Sequence, residues 1–150
     1  MQSLDRDYPD GTDDWLLNVV ATDTGPGGAS LRGYGMMHLR LKDVNDNTPV
    51  FNSCCIVGEV AENSNSNQFV MQLSATDYDS DLNGQVTYEK GEEWPKTEEG
   101  NDLFILTSGG RISTGFSAVL DRETTDRYNV PARAIDGGSP PKTGVRIQII

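Results

Sequence analysis

The chain is poor in the groups that enzymes use as nucleophiles or proton shuttles. Its 150 residues hold one histidine, His38, and two cysteines, Cys54 and Cys55, side by side. No Ser/His/Asp, Cys/His or phosphate-cradling glycine pattern can be assembled from them, which argues against an enzyme. Basic residues are scarce as well: 12 Lys and Arg face 23 Asp and Glu, for a net charge of -11. Phosphates would be repelled, so nucleic acid and anionic membrane are poor partners. No apolar run approaches the roughly 20 residues needed to cross a bilayer. Asn-x-Ser/Thr acceptors are absent, and aromatics make up only 7%. Met1-Gln2-Ser3 runs straight into charge without a signal-peptide pattern, so an extracellular reading implies a piece of a longer protein.

Adjacent cysteines point their Cβ atoms to opposite faces of a strand, which disfavours a bridge between them. Either one thiol is buried and the other exposed, or one of them bridges to another chain.

What the chain does hold is oxygen. Asp43-Val44-Asn45-Asp46-Asn47 packs carboxylates, carboxamides and their carbonyls into five residues and is closed by Thr48-Pro49. Asp and Asn compete with regular backbone ladders, and Pro49 lacks a donor and pushes Thr48 towards extended structure, so the stretch is a connector. Such a donor set suits a hard cation like Ca²⁺, which takes about six to eight oxygens. Further acids bunch at Asp5/Asp7, at 10–14 and at Asp77/Asp79/Asp81. Without cations between them these groups would repel one another.

The chain also repeats itself. Leu4-Asp5-Arg6-Asp7 returns as Leu120-Asp121-Arg122-Glu123, and Val20-Ala21-Thr22-Asp23 as Arg133-Ala134-Ile135-Asp136, at offsets of 116 and 113 residues. A repeat of that length is a whole domain in tandem. Residues 1–48 are then the back end of one module, 43–49 the linker, and 49–150 most of the next module.

Apolar residues recur with period two. Trp15, Leu17, Val19 and Ala21 alternate, as do Met37, Leu39 and Leu41, which predicts two strands joined through a Gly-rich turn. His38 falls on the outward set. In the second module, strands are expected at 56–60, at Phe69/Met71/Leu73/Ala75, at Val86/Tyr88, at Phe104/Leu106, at 111–114, at Tyr128/Val130/Ala132/Ala134 and at Val145/Ile147/Ile149, with 91–102 a charged loop. About seven short strands in roughly 100 residues predict an all-β, Greek-key β-sandwich. In the first module Trp15 is expected in the core. Its strands nevertheless lack a partner sheet within this sequence, which predicts disorder or sticky edges.

These motifs, taken in order, resemble tandem extracellular cadherin repeats. They are the 43–47 linker with Pro49 and Phe51, Ala61-Glu62-Asn63, Ala75-Thr76-Asp77-Tyr78-Asp79 with Asn83-Gly84, Gly110-Arg111-Ile112, Leu120-Asp121-Arg122-Glu123, and Ala134-Ile135-Asp136-Gly137-Gly138-Ser139-Pro140. The resemblance implies up to three Ca²⁺ ions at a junction. Asp5, Asp7, Asp43, the Val44 carbonyl and Asp46 would hold the first two, with Asp79 reaching the second. Asn45, the Asn47 and Asn83 carbonyls, Asp77, Asp79 and Asp136 would hold the third. Asp7 stands where the family has a Glu, and a Glu from the upstream module's first loop is missing, so the first two ions are expected to bind more weakly and to be fewer.

Glu62, Asp121 and Glu123 match ligands offered to a following junction, and Asp23 one offered to a preceding junction. All four are expected to form incomplete sites. The resemblance further implies a calcium-dependent adhesion receptor ectodomain on the extracellular side of the cell membrane. Its partners would be other cadherin ectodomains, homophilically, with no small-molecule substrate and with membrane attachment only through parts outside this chain. The alternative is a calcium-independent, ligand-binding sandwich of the immunoglobulin or fibronectin kind. An EF-hand at Asp77 fails, because Leu82 stands at the required Gly and Tyr88 at the bidentate Glu. A two-carboxylate glycosidase has nothing specific behind it.

Overall fold

The computed structural model describes residues 4–7, 11–28, 30–53 and 57–150, and the chain divides into two compact units, Met1–Asp43 and Val44–Ile150. Cys54, Cys55 and Ile56, and with them the expectations about the thiols, lie outside the described residues.

In the first unit β1 (Asp14–Thr22) and β2 (Arg32–Arg40) form an antiparallel ribbon, with Asp14 opposite Arg40 and Thr22 opposite Arg32. Asp23 ties its far end, since its carboxylate accepts from the Leu31 N–H at 2.8 Å and its own N–H donates to the Leu31 carbonyl at 3.1 Å. Gly27 and Gly28, both at φ 81°, turn the chain between the strands where a Cβ would be strained.

The predicted alternation survives as a difference between two faces. Trp15, at 38% exposure, shares its face with Leu17, Leu39 and Met37, whereas Leu16, at 66%, lies on the more open face with Met36. Every residue of both strands is nonetheless exposed. The placement of Trp15 in a core is therefore corrected: this unit's sheet has two strands and no facing sheet among its described residues, and the indole N–H donates to the Thr12 carbonyl at 3.2 Å. His38 lies on the outward set as expected, with Nε2 2.6 Å from Asp14 Oδ1.

The second unit contains β3 (Val50–Phe51), β4 (Phe69–Gln72), β5 (Ala75–Thr76), β6 (Thr87–Lys90), β7 (Phe104–Leu106), β8 (Arg111–Thr114), β9 (Asn129–Ile135) and β10 (Thr143–Ile149). They form two three-stranded sheets, in the orders β10-β9-β6 and β4-β8-β7, with β3 and β5 paired separately. Neighbours such as β6 and β9 are far apart in sequence, as a crossed sandwich requires.

The core joins both sheets. Val130, Ala132 and Ala134 of β9 are completely buried, and they cluster with Phe104, Ile112, Met71 and Leu73. Phe104 meets Tyr128 edge to face at 5.5 Å, and Phe51 lies 6.1 Å from Tyr88.

Three details depart from the sequence reading. The strand expected through Phe69 and Ala75 is two strands: a register shift between Phe69 and Met71 turns the consecutive Val70 and Met71 both inward, and β5 then pairs with β3 instead of β8. Phe69 is left outside, with the Arg111 guanidinium 5.0 Å above its ring. Of the strand expected at 56–60, Ile56 lies outside the described residues, and the described residues 57–60 form only an isolated bridge, between Val57 and Ile149, supported by the Gly58 N–H to the Ile149 carbonyl at 2.9 Å. The charged 91–102 loop is pinned to the core by Trp94, which is 7% exposed and donates through Nε1 to the Phe104 carbonyl at 2.8 Å.

Candidate metal centre

In the second unit, the end of the linker meets two loops. Asp77 follows β5 directly and accepts from the Asp79 N–H at 3.0 Å, an Asx turn that aims Asp79 back towards the linker. Asp79 is buried and accepts from the Asn47 N–H at 3.2 and 3.1 Å and from Asn47 Nδ2 at 2.6 Å. Asp136, at the end of β9, is also buried. It accepts from the Gly138 N–H at 2.9 Å and from the Lys142 N–H at 3.1 and 3.0 Å. Asn45 Nδ2 donates to the Pro140 carbonyl at 2.8 Å and lies 3.4 Å from Asp136 Oδ1. Earlier in the linker, Asp46 turns its N–H onto the Val44 carbonyl at 2.7 Å and accepts Asn47 Nδ2 at 3.2 Å.

Two oxygens in this set are buried without a hydrogen-bond partner among the described residues, Asp77 Oδ2 and Asn45 Oδ1. Buried acceptors are normally paired, and leaving one bare costs on the order of 1–3 kcal/mol. The Asn45 amide cannot simply be turned over, because its nitrogen is held by the Pro140 carbonyl, so Oδ1 is the atom left open. Burial holds the Asp77 carboxyl above its ordinary pKa, and the charges of Asp79 and Asp136 push the same way against the Asp79 N–H bond.

Two glycines beside this group could not carry a side chain. A Cβ on Gly84 would overlap the Asp79 carbonyl, and one on Gly138 would overlap the Asn45 amide and come 3.0 Å from Asn83 Oδ1. Both glycines thus pack directly against candidate ligands, a role that their place in the sequence motifs did not by itself reveal. Asn45, Asn47, Asp77, Asp79, Asn83 and Asp136 are thus one oxygen-lined group, and their donor set fits a hard divalent cation such as Ca²⁺ and no soft metal.

In the first unit, Asp5, Asp7 and Asp43 come together around a residue to which sequence reading assigned no role. Arg6 Nη1 lies 3.2 Å from Asp7 Oδ1 and 2.9 Å from Asp43 Oδ1, and the Asp7 N–H donates to Asp5 Oδ1 at 3.0 Å. The only sequence signal was an arginine set between two aspartates.

Of the residues matched to other junctions, Asp23 serves the ribbon loop described above. Glu62, Asp121 and Glu123 lie with carboxylate oxygens all within 4.8 Å of one another, fully on the surface. The Arg122 N–H donates to Glu62 Oε2 at 3.2 Å and the Glu123 N–H to Asp121 Oδ1 at 3.0 Å. The Thr124 hydroxyl holds Asp121 below the usual carboxylate range. Glu123 is raised: its own backbone N–H opposes the rise, but the Asp121 side chain and the Glu62 charge outweigh it.

A β-sandwich repeat carrying oxygen-rich loops tied to an acidic connector is the class these features define. Comparison with known proteins gives the family. Residues 56–150 match the Cadherin domain, and the chain belongs to the cadherin family. Neural-cadherin of Drosophila melanogaster is 34% identical over 147 residues, covering 96% of this chain and 5% of that protein. Protocadherin-15 of Mus musculus is 36% identical over 141 residues, covering 94% of this chain and 6% of that protein. The crystal structure of protocadherin gamma C5 EC1-3 superposes with a TM-score of 0.77 at 30% identity, over 91% of this chain and 42% of that one. This chain therefore spans a small part of the length of these relatives.

Proposed function

We propose that this chain is part of the ectodomain of a calcium-dependent cell-cell adhesion receptor, on the extracellular side of the cell membrane. Ca²⁺ bound by the linker and by the acidic loops on either side of it in sequence stiffens a rod of repeats. Asn45, Asp77, Asp79 and Asp136 in carboxylate or carboxamide form, with the carbonyls of Asn47 and Asn83, hold one ion. Asp5, Asp7, Asp43, Asp46 and the Val44 carbonyl hold up to two more. Glu62, Asp121 and Glu123 act in the same way towards a following repeat, and Asp23 towards a preceding one. The partners are other cadherin ectodomains, met homophilically.

The observation that carries this reading is the pair of unpartnered buried oxygens, Asp77 Oδ2 and Asn45 Oδ1, facing a set that already holds three carboxylates. Asp79 and Asp136 are buried, and their charges disfavour ionisation of Asp77, so the repulsion within the set is screened less than on an open surface. A divalent cation removes that repulsion and fills the open acceptors at once. When bound, the ion supplies charge and coordination only; the chain's own residues do the positioning, through the Asn47 bonds to Asp79 and the backbone donors on Asp136.

Small-angle scattering tests the stiffening. Calcium should give a longer maximum dimension and a narrower distance distribution than chelator, and curves that superimpose would favour the calcium-independent sandwich.

A further inference from the structure

The two copies of the Leu-Asp-Arg-acid motif are not used alike. In the second unit the acid is Glu123, whose carboxylate meets those of Glu62 and Asp121, and no ion pair of Arg122 occurs among the described residues. In the first unit the acid is Asp7, and one guanidinium nitrogen of Arg6 bonds both Asp7 and Asp43. The trio is well shielded, with side-chain exposures of 22% for Arg6, 7% for Asp7 and 15% for Asp43. Its charges are therefore screened less than those of a surface pair.

We propose that Arg6 is a built-in competing cation: its guanidinium occupies the Asp7 and Asp43 oxygens in the calcium-free chain and must be displaced or pushed back for Ca²⁺ to bind them. This inference rests on the calcium reading above and names a regulator of the same residues. Two carboxylates brought together need positive charge between them, and in this copy the chain carries its own. A divalent ion arriving at the same oxygens meets a fixed positive charge at hydrogen-bond distance, which lowers its affinity. The benefit runs the other way without calcium, where Arg6 keeps the acidic pair from repelling. Arg6 thus sets a higher calcium concentration at which the Asp7 and Asp43 oxygens fill.

Calorimetric titration of calcium chloride into the 150-residue chain tests this, using wild type, Arg6→Gln, Arg6→Lys and the double variant Arg6→Gln/Asp43→Asn. A neighbouring charge of this kind shifts ionic equilibria by about tenfold or more, so Arg6→Gln should raise affinity at the weaker sites about tenfold. Arg6→Lys, which keeps the charge as a point ammonium, should raise it less, and the gain should vanish in the double variant. A residue with a merely structural role would lower affinity when removed. In chelator, Arg6→Gln should speed amide hydrogen exchange at Gly11 and Thr12, whose N–H groups donate to the Asp7 and Asp5 carbonyls, and in saturating calcium that difference should disappear.

If wild type binds calcium and Arg6→Gln binds it equally or more weakly, the inference is overturned and the calcium reading stands. If only Arg6→Gln binds calcium at the Asp43-dependent sites, the inference is supported. If no variant binds calcium, both readings fall.

Discussion

Asn47 holds Asp79 through two donors: its backbone N–H is shared between the carboxylate oxygens at 3.2 and 3.1 Å, and Nδ2 donates to Oδ1 at 2.6 Å. A linker residue is thereby fixed to a loop carboxylate of the second unit, and with Asn45 held on Pro140 the later half of the linker belongs to that unit. The carboxylate is buried, so each of these bonds is of the charge-assisted kind.

Asp79→Ala should remove both a cation ligand and this tether. Bonds to a charged group contribute about 1.5–3 kcal/mol. The expected outcome is calcium affinity reduced by about tenfold or more, together with faster amide hydrogen exchange at Asn47 even in chelator. Titration calorimetry and exchange spectra check the two effects separately, and unchanged values for both would contradict the assignment.

Gly138→Ala should act by crowding alone. The added Cβ overlaps the Asn45 amide, so Asn45 must leave the Pro140 carbonyl and its open oxygen moves with it. Calcium affinity should fall while the sandwich core holds, because the atoms the Cβ meets first belong to Asn45 and Asn83. Near-wild-type urea midpoints in chelator with weakened calcium binding are expected.

Much of this architecture can be read from the chain itself. Period-two alternation is clearest where one face is wholly buried, and Val130, Ala132 and Ala134 give it without interruption. It misleads at Phe69, where a bulge inverts the register and puts two adjacent apolar residues inside; nothing in a local pattern marks an extra residue in one strand of a pair. Val50–Phe51 is too short for any period to show. Trp94 is hidden among Glu92, Glu93, Lys96 and Glu98, so the segment's composition announces a solvated loop while a single indole anchors it. The acidic residues could be singled out as candidate ligands because they recur at fixed places in a repeat. Arg6 could not, since which anion a long basic side chain reaches depends on folding.

Trp94→Ala should show what that anchor contributes. Removing a buried Trp costs about 3–5 kcal/mol, and the Phe104 carbonyl also loses its donor. Urea unfolding followed through the second unit's signals should move to a lower midpoint, with loop 91–102 exchanging its amides rapidly.

Acidity offers an independent probe of Asp77. Its folded-state pKa lies above the unfolded value because of burial and the nearby Asp79 and Asp136 charges. The contribution to stability is therefore fully present below the unfolded pKa, near 3.9, and is lost as pH rises through the higher folded pKa. In chelator, wild type should lose stability over that window relative to Asp77→Asn, which cannot ionise. With calcium bound the difference should shrink or reverse, since the ion favours the ionised carboxyl. Parallel pH profiles of the two proteins in chelator would contradict this.

The most direct measurement is a calcium titration of the chain followed by backbone amide shifts. Saturable changes should concentrate at 43–47, 77–84 and 136–138, with Asn45 and Asp77 among the first to respond and with equal concentrations of magnesium producing smaller shifts. Amides that stay in place at millimolar calcium, or shifts scattered evenly over the acidic surface, would contradict the central claim.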